Sequence, residues 1–413
     1  MFMRLALVLF VAAACAGCHD NDRLRPTNVF ATSSVPPPVA FAASSTAPGT
    51  IAAAPAASSR NAVVDSGPAH LMTDAELGAL VSSVSEATGE FPSDNFVSNE
   101  TTLMDVAPVL TRDALRGRAY VGVGPEQNLT YARSMHATIA YVVDIRRQNM
   151  LELMAMRASM EASETRAAFF SRWTSRRDVS DKLSDSKRAS VEDIARAIDA
   201  APVDPAVAAS LRHATRSLMS RLGIQEQPGD DRGIDAVLAA FAATGMNLAY
   251  SMKGSGRRYP ALREVLSLVG PGDEGSFAKT EESYAEVRRM MTQNRIVPVV
   301  GDFAGTKALR GVAQDMSRRG LVLGVFYVSN VEQYLFEDGT YGRFVSNVEA
   351  LPKDDESVFV RVWFDQGRAH PKQRKGQRTA TLAMSISHFL RRCRASPYRS
   401  FWEVATDDAA MVR

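Results

Sequence analysis

Two glycines and several acidic side chains stand where apolar runs end, and chemistry would be done at those positions. Gly122-Val123-Gly124-Pro125-Glu126-Gln127-Asn128 follows the apolar stretch Ala119-Tyr120-Val121, and Asp144 closes a second, Ile139-Ala140-Tyr141-Val142-Val143. Glycine at a strand end lets backbone approach a ligand, and a carboxylate about 20 residues further on can accept hydrogen bonds from a ribose diol. Asp302 follows a third run, Ile296-Val297-Pro298-Val299-Val300, and Ser329-Asn330-Val331-Glu332 follows a fourth, Leu321 to Val328. Candidate catalytic groups are Glu332 and Tyr327, with Asn330 beside them on the substrate side and Glu100 as a further base. Tyr327 reads equally as a packed strand residue. The polar stretch Gly89 to Glu100 reads either as a cleft wall or as turn and capping chemistry.

Other chemistries find little footing. His136, His213, His370 and His388 are scattered, with no metal-ligand spacing and no nucleophilic triad, and no serine has the flanks of a nucleophile elbow. Three cysteines are present, and two, Cys15 and Cys18, fall in the N-terminal segment, so Cys393 in Leu390-Arg391-Arg392-Cys393-Arg394 has no partner for a disulfide. The 48 basic and 46 acidic residues nearly cancel, which gives no global pull toward nucleic acid. The basic run Arg368 to Arg378 lacks interleaved aromatics and reads as a solvated loop. Lys253-Gly254-Ser255-Gly256-Arg257-Arg258 could hold an anion, though a solvated connection is the plainer reading.

The elements that must position these groups form an α/β pattern. Continuous apolar runs at 119–121, 139–143, 296–300, 321–328 and 357–364 alternate with helical stretches, as a doubly covered, mostly parallel sheet of at least five strands requires. A helical insertion at about residues 147–290 separates the second strand from the third, and its methionines read as core filler. Thr73 and Glu76 form a capping box at the start of the folded part, and a helix is expected from Thr101 to Leu110. The domain therefore spans about 71–413. Ahead of it, Arg4 precedes the apolar run Leu5 to Ala14, too short to span a bilayer, which reads as a secretory signal over residues 1–18. Residues 19–70 are rich in alanine, serine and proline and read as a flexible tether.

Two resemblances follow from these motifs. Ala16-Gly17-Cys18 resembles the lipobox of bacterial lipoproteins, which implies lipidation at Cys18, with His19 directing the protein to the outer membrane. The expected location is then the cell envelope, held to a membrane by the lipid, with the cytoplasm as the alternative. The strand-end residues resemble the class I S-adenosylmethionine-dependent methyltransferases. That resemblance implies a Rossmann-like fold in which Gly122, Gly124 and Asn128 face the amino-acid part of the cofactor, Asp144 holds the ribose and Asp302 contacts the adenine amine. The stretches Gly122 to Asn128, Asp144 to Asn149, Pro298 to Gly305 and Phe326 to Phe336 also resemble a group of uncharacterised bacterial proteins, over most of residues 86–365.

This chain departs from the methyltransferase pattern at Pro125-Glu126, where a third glycine is usual. An acid there would repel a dinucleotide's pyrophosphate, which disfavours a dehydrogenase. Two functions remain: a methyltransferase-like enzyme using S-adenosylmethionine on a small or lipid-like acceptor, or an exported lipoprotein whose domain binds a small ligand without catalysis. They collide, because the cofactor is made in the cytoplasm. No nucleic-acid partner is expected from either.

Overall fold

The computed structural model describes residues 71–91, 93, 95–251 and 257–412. The signal segment, Cys18 and the tether lie outside the described residues, as does Lys253 to Gly256.

Six strands form one sheet: β1 (Ala119–Gly122), β2 (Ala140–Asp144), β3 (Ile296–Val300), β4 (Leu323–Ser329), β5 (Val358–Phe364) and β6 (Thr379–Ser385). Their order is β3-β2-β1-β4-β5-β6, with the first five parallel and β6 antiparallel to β5. This is a Rossmann-like α/β sheet, and the chain reverses its direction of winding between β1 and β4. Strands β1, β2 and β3 are buried at every position, which is why they read as unbroken apolar runs and not as alternating ones. Pro298 sits opposite Val142 on β3, an edge strand, where its missing N–H costs no ladder bond on the open side.

Two elements differ from the sequence reading. The helix expected from Thr101 to Leu110 is a 3-10 turn, Leu103–Val106, followed by a four-residue helix, Ala107–Leu110. Pro108 has no N–H to continue the first turn, and it sits instead in the first turn of a new helix that starts at Ala107. The sixth strand follows the basic loop; Thr102 Oγ1 meets Thr379 Oγ1 at 2.7 Å and Thr381 Oγ1 at 2.9 Å, so one face of β6 is anchored by hydroxyls instead of apolar side chains.

The insertion between β2 and β3 is helical, running from Arg147–Glu161 through Glu281–Thr292. Its first helix is buried along nearly its whole length, because it packs on the sheet with one side and on Pro205–Leu222 and Asp230–Thr244 with another. Met150, Met154, Met156 and Met160 are core residues there. Behind them Phe169, Phe170, Trp173 and Phe241 pack ring on ring, Trp173 and Phe241 at 4.1 Å. Buried Arg166 ties the outer loops to this core, donating to the carbonyls of Ala278, Lys279, Lys187 and Ala189 and to Glu281. The insertion thus forms a rigid wall, and Tyr250, Arg257 and Tyr259 at its far end reach back over the sheet's carboxyl edge.

Candidate functional site

A cavity of about 640 Å³ lies over the carboxyl ends of β1 to β4, at the switch point of the sheet. Every strand exit that the sequence marked contributes to its wall: Gly124 after β1, Asp144 and Arg146 after β2, Asp302 after β3, and Ser329 and Asn330 after β4. Gly124 adopts φ +84°, a left-handed conformation that a side chain would strain. Glu90, Phe91, Asn95, Ser98, Asn99 and Glu100 close one side, so these described residues of the polar stretch form a cleft wall.

Glu100 is the most unusual group in the cavity. It is 1% exposed, and burial pushes its carboxyl up to about 7, against two hydroxyl donors that pull the other way. Tyr327 donates to Glu100 Oε1 at 2.5 Å and Ser329 Oγ donates to the same oxygen at 2.7 Å. Gln127 Nε2 in turn donates to the Tyr327 hydroxyl at 3.0 Å. Ser329 reaches its position only by a break in the β4–β5 register and a left-handed φ of +50°, a costly conformation for a non-glycine residue. Glu100 Oε2 and Gln127 Oε1 are both buried without a hydrogen-bond partner, and both residues line the cavity.

The residues of the β1 turn divide into those that face the cavity and those that hold the turn. Gly124 and Gln127 face it. Asn128 does not: its Nδ2 donates to the carbonyls of Val123, Gly124 and Pro125 and its Oδ1 accepts from Tyr120, so it fixes the turn's shape. Gly122 is likewise a packing glycine, since a Cβ there would lie 2.1 Å from Asn128 Oδ1 and 2.4 Å from Tyr120 Oη. Glu126, which stands where a third glycine is usual, is fully buried and turned away from the ligand side. Its two oxygens accept from the Ser98 N–H at 3.1 and 3.2 Å, and burial, with Glu100 nearby, pushes its carboxyl up to about 7. Through that bond the β1 turn grips the segment that carries Glu100.

Asp144 lines the cavity with its carboxylate already engaged: Oδ1 accepts from Arg146 N and Nε at 2.8 and 3.0 Å, and Oδ2 from Arg146 Nη2 at 2.9 Å. Asp302 Oδ1 accepts from Ala304 N at 2.8 Å in a local turn. Asn330 lines the cavity and bonds Tyr334.

Glu332 is a correction. It is fully buried outside the cavity, paired through Oε2 with Arg361 Nε and through Oε1 with Arg361 Nη2 at 3.2 Å, and it accepts from the Tyr341 hydroxyl at 3.1 Å. The Arg361 guanidinium also lies 3.9 Å from the Phe359 ring, so this pair is an internal strut away from the cavity wall. Cys393 is buried beside it, and burial raises its thiol to about 11, the opposite of a reactive thiolate.

The sequence reading marked Ser329 only as part of a strand exit, gave Gln127 no role and did not find an aromatic rim. Phe91 and Tyr334 pack edge to face at 5.4 Å, and Tyr250 and Tyr259 at 4.8 Å, all four on the cavity wall. Among the described residues no group of three or more His, Cys, Asp and Glu side chains is arranged to hold a metal, and no helix is long and apolar enough to cross a membrane.

The family described as Domain of unknown function (DUF7790) matches residues 95–242 and 246–411, from the segment carrying Glu100 through the whole sheet and insertion. No curated protein matches the sequence.

Proposed function

We propose that this chain, which belongs to the DUF7790 family, is a methyltransferase-like enzyme that binds S-adenosylmethionine in the switch-point cavity and acts on an acceptor that must lose a proton. One observation carries the reading: a buried carboxyl, Glu100, with an unpartnered oxygen, lies in the same cavity as the left-handed Gly124 turn. The cavity's size and composition fit the cofactor. About 640 Å³ accommodates a nucleoside-sized ligand, and the aromatic rim offers ring faces to a base. Asp144 Oδ2 and the carboxylate of Asp302 keep acceptor capacity for hydroxyl and amine donors. When bound, S-adenosylmethionine supplies an electrophilic methyl group.

The protein's own residues would then orient and deprotonate. Tyr327 and Ser329 hold Glu100 Oε1, which leaves Oε2 as the atom that takes a proton from an acceptor. With its carboxyl at about 7, Glu100 gains its charge as pH rises through about 7, so turnover should rise over the same range and lose that rise in Glu100→Gln. The test of the cofactor is calorimetry of the full chain with S-adenosylmethionine. Saturable binding that weakens at least tenfold in Asp144→Ala is expected; silence at millimolar ligand removes the reading.

The lipobox-like Ala16-Gly17-Cys18 favours a second reading, in which the same cavity binds a ligand without turnover on a protein anchored at the cell envelope by a lipid on Cys18. Labelling with a lipid precursor, lost together with membrane association in Cys18→Ala, would support it. An unlabelled, soluble full-length form would exclude it.

A further inference from the structure

The inner end of the cavity lacks hydrogen-bond donors where it most needs them. Gln127's amide orientation is fixed by its surroundings: Nε2 must donate to the Val123 carbonyl, which can only accept, and to Tyr327, whose own hydrogen goes to Glu100. Oε1 is therefore left buried with nothing to receive. Glu100 Oε1 receives two hydroxyls while Oε2 receives none. Two acceptors, on side chains 1% and 5% exposed, are thus left without a donor in one cavity. An unsatisfied buried acceptor costs about 1–3 kcal/mol, and once Glu100 is ionised the group that relieves both at once must bring at least two N–H or O–H donors.

We propose that the Glu100–Gln127 end of the cavity is a receptor for a primary ammonium group carried by the ligand. A primary ammonium has three donors and no acceptor, so it can satisfy Glu100 Oε2 and Gln127 Oε1 together, and its charge complements the ionised carboxylate. A quaternary ammonium, with no N–H, cannot; a phosphate or carboxylate would meet only acceptors. The nearest titratable groups carry no positive charge: Tyr120 on β1, Tyr131 on the helix Gln127–Ser134, Tyr327 on β4 and Glu126 on the turn. The Arg146 guanidinium is paired with Asp144, and that of Arg257 acts on Asp365. The inference is independent of methyl transfer, and rests on the cofactor reading only in one of two cases: the ammonium belongs either to the amino-acid end of S-adenosylmethionine, in which case Glu100 Oε2 holds the cofactor and does not serve as the acceptor's base, or to a separate amine acceptor.

Calorimetry of the full chain separates these cases. The probes are S-adenosylmethionine, methylthioadenosine (which lacks the amino-acid end), n-butylamine and tetramethylammonium, each measured at pH 6 and pH 8. If the ammonium is the cofactor's, S-adenosylmethionine binds at least tenfold tighter than methylthioadenosine, and the preference disappears in Glu100→Gln. If it is an acceptor's, the two nucleosides bind alike, while n-butylamine binds and tetramethylammonium does not. In either case the ammonium-bearing probe binds more tightly at pH 8 than at pH 6, because Glu100 must be ionised, and Glu100→Gln abolishes that dependence. Gln127→Met, which keeps the carboxyl, weakens the same probe tenfold. Amine binding without any nucleoside binding would remove the cofactor reading and leave this one standing. If neither n-butylamine nor the amino-acid end of S-adenosylmethionine adds affinity, or if tetramethylammonium binds as well as n-butylamine, the inference is overturned. Thermal unfolding of each variant, matched to wild type, shows that a loss of binding is local.

Discussion

Replacing Glu332 by glutamine should damage the fold and leave ligand binding intact. Glu332 and Arg361 are both 0% exposed, and among the described residues Glu332 is the guanidinium's only carboxylate contact. Arg361 Nη1 already lacks a partner, so the site has no reserve of acceptors. The substituted amide would keep one carbonyl oxygen for the guanidinium and turn an NH2 toward its other donors, leaving a buried cation without a counter-charge. Removing one member of such a pair costs about 3–5 kcal/mol, whereas replacing both with apolar groups of similar volume is close to neutral. For a folded part of roughly 340 residues, with unfolding entropy near 2.1 cal/mol/K per residue, that loss lowers Tm by about 4–7 °C. The assay is calorimetric unfolding of Glu332→Gln, Arg361→Met and the Glu332→Leu/Arg361→Met pair, each also titrated with the ligand that binds wild type. Both single variants should melt lower, the double variant should recover most of the loss, and all three should bind as wild type does. A Glu332→Gln protein with unchanged Tm but abolished binding would refute the assignment and return Glu332 to the catalytic set.

Two further perturbations test the turn that positions Glu100. Burial raises the Glu126 carboxyl to about 7 from an ordinary value near 4.5, so its protonated form is favoured in the fold; the stability this gives is full below about 4.5 and is lost as pH rises to about 7. Glu126→Gln keeps an acceptor for the Ser98 N–H, and at pH 8 should be more stable than wild type by up to about 3 kcal/mol, the equivalent of about 2.5 pH units at 1.36 kcal/mol each, with little difference at pH 4.5 in urea unfolding. Equal stabilities at pH 8 would show that Glu126 is not desolvated as described. Gly122→Ala should cost about 1–3 kcal/mol, because its methyl would meet Asn128 Oδ1 and Tyr120 Oη within 2.4 Å or less; an unchanged denaturation midpoint would contradict the packing role given to that glycine.

What the sequence disclosed was local, and what it withheld was joined across the fold. Gly124, Asp144 and Asp302 were legible because each ends an apolar run, and parallel strands bring such ends to one edge. Pro298 was no obstacle, since an edge strand tolerates it. The role of Glu126 depends on an N–H 28 residues upstream, and that of Glu332 on an arginine 29 residues downstream. Neither partner has a motif, so both acids read as facing the ligand, Glu332 as a catalytic group and Glu126 as a repelling one. Arg361 sits inside a strand that otherwise reads as apolar, where its charge gave no hint of a mate. Glu100 was recognised as a possible base, but the hydroxyls that hold it come from β4, more than 220 residues away. The roles of Gln127 and Ser329 toward Glu100 were illegible for the same reason: a glutamine beside a glycine turn and a serine ending a strand are unremarkable until a buried carboxyl faces them. Pro108 was the one local signal left unread, and it split the expected helix.

The heat released when the full chain is titrated with S-adenosylmethionine tests the central claim most directly. The account predicts a saturable isotherm with one site per chain, and its loss in Gly124→Val, whose side chain would strain the left-handed turn and intrude on the Gln127 amide 3.0 Å away. An isotherm in Gly124→Val indistinguishable from wild type, or no binding by a wild-type protein that unfolds cooperatively, would contradict it.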